Sequence, residues 1–483
     1  MVSLPNPSGL SPQGPALSLS KGRSHERHKR ALQPSLVSWQ EEYRRKLVTA
    51  DQAVAAVQPG DTVEIACEWE PELLTAALAR RWSAIGGQKS LTIYTDARRP
   101  DLPWLQPELA HSFTLRLMQP PQLPKGSPSP PNVDYAPSLT LSRAKAFLED
   151  RADQRRLDVF MAVVSPPDGD GFCSFGRFLG LKRLAASQAR TVLAEVIDHP
   201  QIHLHTFGDN RIHVSEVDCF VENPSPSPTA AQSPWRRLRE PSAQAREMAG
   251  HIATLLRDGD TIEVGVGGDT EALALLGIFD GRQDLGVHSG QLLPGMLDLI
   301  KRDIINGRRK SVNPGRTVVS VFWEEDEESL AFINENEAIE QRSLDYIHDI
   351  GVIAAHDNFV AINGILAIDL LGQVTSESLG LRRLALAGGL PAFATGAMLS
   401  RGGRNILALT AATGDGRSRI VPVLEPGTIV TLPRTFVDIV VTEYGIARLL
   451  DRSDRQRAEE LIAIAHPSVR TELRSQFQKL YFS

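Results

Sequence analysis

Apolar residues at helical spacing first appear in WQEEYRRKLVTADQAVAAV, from Trp39. They predict one helix and then a shorter one, with Thr49 and Asp51 placed as its caps. PGDTVEIA follows and reads as a turn into a short buried strand. The same pattern returns later in the chain. GDTVEIACEWEPELLTAAL begins at Gly60 and GDTIEVGVGGDTEALALLG at Gly259, and both read as turn, strand, special loop and amphipathic helix. A second echo links LDVFMAVVSPPDGDGFCSFG (157–176) to NFVAINGILAIDLLGQVTSESLG (358–380). A third links IHVSEVDCFVE (212–222) to VDIVVTEYGIA (437–447). Three echoes in one order predict two related α/β domains. β-branched runs alternate with helical stretches, so each sheet should be largely parallel.

Two regions depart from this pattern. Residues 1–38 carry scattered prolines, the basic cluster KGRSHERHKR and little apolar periodicity, so they are expected to be a disordered extension. NPSPSPTAAQSP, within the proline-rich stretch 223–235, reads as a linker between domains at 39–222 and 236–483. Another proline-rich run at 119–137 reads as a long surface loop inside the first domain.

Composition narrows the class. With 42% hydrophobic and 23% charged residues, the 483-residue chain suits a soluble protein of two or three domains. A net charge of −6 offers no overall footprint for nucleic acid. No apolar run approaches the roughly 18 residues of a membrane span, and Ser and Pro interrupt any signal-peptide core near the N-terminus. Cys67, Cys173 and Cys219 are too few and too scattered for a disulfide framework or a zinc ribbon. A cytoplasmic protein without membrane or nucleic-acid partners is expected.

The candidate chemistry lies in two glycine-rich loops. Gly265, Val266, Gly267 and Gly268 follow the strand TIEV, and Gly388 and Gly389 lie in LALAGGLPAFATGA. Glycines let a ligand approach the backbone, and helix N-terminal amides favour negative charge. Either loop could cradle a phosphate or an oxyanion, or be only a tight turn. Arg401, Arg404, Arg417 and Arg419 could pair with phosphates or simply be solvated. His203, His205 and His213 lack a matching carboxylate or cysteine set, so no metal site is expected. No Gly-x-Ser-x-Gly elbow marks a serine nucleophile. The acidic run EEDEE at 324–328 reads as a solvated face.

Taken together, these segments resemble the acetyl-CoA hydrolase/transferase family. The likeness runs from about Trp39 to the C-terminus. It rests on EEYRRKLVTADQAV, PGDTVEIA, VSPPDGDGFCSFG and IHVSEVD in the first half. In the second half it rests on DLGVHSG, NPGRTVVS, DNFVAINGILAIDLLGQVTSESLG, SRIVP, VVTEYGIARL and IAIAHPSVRTEL. The resemblance implies two similar CoA-transferase-type domains with the active site between them. It implies acyl-CoA and small carboxylates as substrates, no permanently bound cofactor and a homodimer. It also makes GVGG (265–268) and AGGL (387–390) the CoA and oxyanion loops, and puts a CoA-contacting basic residue at Arg404.

One position departs from the family pattern. The family's nucleophilic glutamate follows a His-Ser/Thr pair after the DLG strand, and here DLGVHSGQ puts Gly290 in its place. Glycine can form neither an anhydride nor a thioester. Four readings follow. In the first, another carboxylate is the transferase nucleophile, with Glu271, Glu377 and Glu70 as candidates. In the second, water attacks directly in a hydrolase, with His288 as general base. In the third, the acids transfer CoA without covalent catalysis, and the substrate carboxylate itself occupies the space left by Gly290. In the fourth, the fold binds CoA esters without turnover. His288 reads equally as a core histidine, and Glu271 as a helix start.

Overall fold

The computed structural model describes residues 38–66, 68–85, 91–95, 102–117, 120, 130–136, 157–227, 240–268 and 270–481. The expected extension over 1–37, Cys67, most of 119–137 and residues 228–239 of the linker region lie outside the described residues.

The first half forms a sheet of seven strands: β1 (Thr62–Ile65), β2 (Leu91–Thr95), β3 (Phe113–Leu117), β4 (Val133–Tyr135), β5 (Val159–Val164), β6 (Thr191–Val196) and, after a short β7 (Phe207–Gly208), β8 (Cys219–Glu222). Their order is β8-β6-β5-β1-β2-β3-β4, parallel throughout. The second half supplies β9 (Thr261–Val264), β10 (Gly286–Leu292), β11 (Thr317–Phe322), β12 (Ile339–Gln341), β13 (Phe359–Gly364), β14 (Arg404–Ala408), β15 (Ile439–Thr442) and β16 (Gly445–Arg448). Their order is β16-β15-β14-β13-β9-β10-β11-β12, and β7 pairs in parallel at the far edge. Only the β15–β16 hairpin is antiparallel in this sheet.

The repeat seen in the sequence is a repeat of topology. The series β8, β6, β5, β1, β2, β3, β4 matches β15, β14, β13, β9, β10, β11, β12 strand for strand, in chain order as well as in space. Registers agree too: Val63 pairs with Ile93 and Val159, and Ile262 pairs with Val287 and Val360. Strands covered on both faces should be apolar along their length. VFMAVV of β5 and TVVSVF of β11 are accordingly buried at every position.

Local chemistry sets the helices. Ser38 and Glu41 form a capping box on α1 (Trp39–Lys46). Thr49 caps the short helix Ala50–Ala53, whereas Asp51 sits in its first turn and pairs with Arg80. The loop after β1 leads into α2 (Glu72–Ile85), as expected. The counterpart after β9 does not form an α-helix. It makes a 3-10 turn over Thr270–Ala272, followed by turns in which Gly277 and Gly281 adopt left-handed φ of 77° and 72°.

Besides the β7–β12 pairing, the segment Arg177–Gly180 locks the halves together. Leu179 N–H donates to Ser320 O (3.0 Å), Gly180 N–H to Ser320 Oγ (3.1 Å), and Phe178 bridges Val321 of β11. Buried Arg177 ion-pairs with Glu68 (2.6 Å) and Glu325 (2.8 Å) and donates to Phe322 O. The acidic run is the expected solvated face only in part: Asp326, Glu327 and Glu328 are exposed, whereas Glu324 and Glu325 turn inward. Glu325 is held by Arg177, burial pushes Glu324 up to about 7, and Asp326 caps the helix Glu327–Ile333. The three first-half histidines have separate local partners: His203 meets Asp198, His205 meets Asp168, and His213 caps Val214–Glu216. Of the described cysteines, Cys173 is buried and Cys219 half-buried, both as free thiols. No helix among the described residues is long and apolar enough to cross a membrane.

Candidate active site

Parallel strands end in loops, and the crevice beyond their carboxyl ends is where such sheets accommodate ligands. Here both sheets aim that edge at one cavity of about 470 Å³. The first half contributes Glu64 and Ile65 from β1, Tyr94 and Thr95 from β2, and the docking segment Phe178–Lys182. The second half contributes the end of β9 with Gly265–Gly268, then Gly290 and Gln291 of β10, Asn363 and Gly364 of β13, and Ala385–Leu390. Its volume falls in the range of small-molecule sites, roughly 300–1,000 Å³.

Both glycine loops expected at a ligand site therefore face one cavity. At Gly265 a Cβ would lie 2.2 Å from Asn363 Oδ1, so only glycine lets the strand end pack there. Thr270 Oγ1 ties the loop by donating toward Gly265 O and Gly267 O (2.8 and 2.7 Å). Asn363 in turn donates to Glu263 (2.8 Å), a fully buried carboxyl that burial pushes up to about 8. The second loop ends at Gly389, the N-cap of α3 (Leu390–Leu399), so the start of that helix at Leu390 borders the cavity.

Gly290 sits on the wall, as the alignment of DLGVHSG implied. A Cβ there would have only two heavy-atom neighbours within 4 Å, His348 Nε2 at 3.6 Å and Leu344 Cδ2 at 4.0 Å. The space is open to a larger group. His348 is the residue that sequence reading missed. It is 5% exposed, its ring packs edge-on to Phe393, and its Nδ1 has no hydrogen-bond partner. Its Nε2 lies 2.7 Å from where a Cβ on Gly389 would sit, so Gly389 is what admits the ring. Burial lowers its pKa to about 4 and keeps it neutral. Its only trace in the sequence was a polar residue closing the short apolar stretch LDYIH.

Five other candidates, His288, Arg404, Glu271, Glu70 and Glu377, lie off this cavity. His288 is fully buried on β10, bonded to Ile347 O (2.9 Å) and packed against His356 and Tyr346. Burial holds its pKa well below the usual value, and it is a core residue rather than a base facing substrate. Arg404 starts β14, whereas the cavity lies beyond that strand's far end at Ala408 and Leu409. Asp260 holds it by an ion pair at 2.5 Å, so the expected CoA contact is not available to it here. Glu271 lies on the 3-10 turn, where Thr270 rather than Glu271 reaches the wall. Glu70 bonds Thr75 and Glu377 bonds Thr431, both away from the lining. Among the four arginines considered, only Arg419 reaches it, while Arg401 and Arg417 pair with Asp357 and Asp415. The carboxylates on the wall are Glu64 and Glu263.

A glycine-walled cavity between two duplicated parallel α/β halves defines a CoA-transferase-like protein. Comparison with known proteins agrees. The acetyl-CoA hydrolase/transferase C-terminal domain family matches residues 326–477. The 4-hydroxybutyrate coenzyme A transferase of Clostridium kluyveri is 34% identical over 449 residues, 92% of this chain and all of that protein. The succinyl-CoA:cyclohexane-1-carboxylate CoA transferase of Geobacter metallireducens is 33% identical over 90% of this chain and 96% of the relative. The crystal structure of RipA from Yersinia pestis superposes with a TM-score of 0.79 at 30% identity, covering 92% of this chain and all of RipA. The chain belongs to the acetyl-CoA hydrolase/transferase family.

Proposed function

We propose that this protein is a CoA-transferase that moves CoA between small monocarboxylic acids in the cavity between its halves. The observation that carries this reading is the convergence of Gly265–Gly268, Gly388, Gly389 and Gly290 on one cavity. Relatives of nearly full length are named as CoA-transferases of small acids. Backbone amides beside glycines can stabilise the tetrahedral oxyanions of thioester exchange, an effect worth about 100- to 1,000-fold per donor. The lining fits a short apolar acyl chain, since Ile65, Phe178, Val266, Leu344, Leu386 and Phe393 dominate it.

In this reading 39–222 and 236–483 are the two halves that grip the substrate, CoA and its esters are substrates rather than resident cofactors, and the enzyme works as a cytoplasmic homodimer. The test is incubation of the purified protein with acetyl-CoA, with and without butyrate. Formation of butyryl-CoA and acetate without free CoA supports transfer. Release of free CoA regardless of butyrate would contradict it.

A further inference from the structure

Gly290 and His348 together form a feature that a glutamate-bearing wall would lack. The glycine leaves open space on the cavity wall, and the nearest polar atom to that space is His348 Nε2. The histidine is nearly buried, yet its Nδ1 finds no partner. An orphaned buried N–H is rarer than an orphaned acceptor. The ring proton is therefore better placed on Nε2, which points at the space, than on Nδ1. Beside it α3 begins at Leu390; Pro391 has no N–H, and the amides of Leu390 and Ala392 have no partners within the helix. A neutral N–H and a helix N-terminus flanking an open space are suited to a carboxylate.

We infer that the space over Gly290 is a subsite for the carboxylate of the acceptor acid, held by His348 Nε2–H, and that the acid itself attacks the thioester there. This rests on the transferase reading given above. The acceptor oxygen forms a C–O bond to the acyl-CoA carbonyl carbon and the C–S bond breaks, giving a mixed anhydride and CoA thiolate. The thiolate then attacks the acceptor's carbonyl carbon. A new C–S bond forms, the C–O bond on that side breaks, and the donor acid leaves with one oxygen from the acceptor. No proton or electron enters or leaves. Both acids and CoA occupy the site together, and no enzyme–CoA thioester forms. His348 is a substrate-binding residue in this scheme. Glu263 is a poor competing attacker because it is fully buried and bonded by Asn363.

The experiment is a single turnover of enzyme in excess over acetyl-CoA with butyrate labelled at both oxygens with ¹⁸O, followed by intact-protein mass spectrometry. Acetate carrying one ¹⁸O and protein of unchanged mass support the proposal. Unlabelled acetate, or a mass gain of one CoA mapped to Glu64 or Glu263, overturns the subsite while leaving transferase function intact. Calorimetric titration of butyrate onto the CoA-bound enzyme supplies a readout independent of turnover. His348→Leu is expected to weaken butyrate binding at least tenfold, and His348→Asn, which keeps a donor, to recover much of it. Gly290→Glu puts a carboxylate into the subsite itself, so butyrate should no longer bind in competition-free form and its apparent affinity should fall at least tenfold. Equal butyrate affinity in all four proteins overturns the proposal. Butyrate binding that depends on His348 without any acyl exchange would sink the transferase reading instead.

Discussion

Replacing Arg177 with methionine should unfold the junction between the halves. The guanidinium lies 2.6 Å from Glu68 and 2.8 Å from Glu325, with side chains 4%, 2% and 14% exposed. Glu68 also adopts a left-handed φ of 82°, a conformation that costs a non-glycine residue about 1–2 kcal/mol. Removing one member of a buried ion pair costs about 3–5 kcal/mol, because the remaining charge is stranded. Phe322 O loses its charged donor as well, a further roughly 1 kcal/mol. Glu325 keeps some solvent, which offsets part of the sum, so about 4 kcal/mol is expected. Against a typical stability of about 5–15 kcal/mol this is a large fraction. Urea denaturation monitored by tryptophan fluorescence measures it. Adding Glu68→Gln and Glu325→Gln to the same variant should recover stability. A loss below about 1 kcal/mol, unchanged by the two glutamine substitutions, would refute the reasoning.

Three further outcomes are expected. Gly265→Ala drives a methyl to 2.2 Å from Asn363 Oδ1, and overpacking of this kind costs about 1–3 kcal/mol, readable as a lowered urea midpoint. The folded pKa of Glu263 is raised to about 8, so its contribution is fully present below about pH 4.5 and is lost as pH rises through 8. Glu263→Gln should therefore reduce the fall in stability between pH 5.5 and 8.5, and an identical pH profile would contradict the assignment. Arg404→Met strands the buried Asp260 carboxylate and should lower stability by about 3–5 kcal/mol while leaving the affinity for acetyl-CoA unchanged in calorimetry.

Much of the fold was legible because parallel sheets impose a simple code. Strands buried on both faces must be apolar, so the echoes at Gly60 and Gly259 exposed a duplicated sheet whose strand orders match throughout. The loop after β9 was misread because EALALLG has helical spacing, whereas the chain there runs as a 3-10 turn and then further turns through Gly277 and Gly281. The glycine loops that line the cavity were legible because a backbone that must come close to a neighbour shows as glycine. The side chains were not. His288 and His348 look alike in sequence, yet one points into the core and the other to the cavity, a difference set by packing against Ile347 and Phe393. Arg404 resembled a CoA contact by position, and its partner Asp260 is 144 residues away in sequence, where no local pattern could reveal the pairing. The Glu68–Arg177–Glu325 clamp escaped for the same reason.

The central claim is that a CoA thioester is held between the two glycine loops and the docking segment of the first half. Hydrogen exchange of the intact protein with and without saturating butyryl-CoA measures this directly. The account predicts slowed exchange at Gly265–Gly268, at Leu386–Leu390 and at Phe178–Lys182 together, the three backbone stretches that line the cavity. Unchanged exchange in all three, or protection confined to a surface elsewhere, would contradict it.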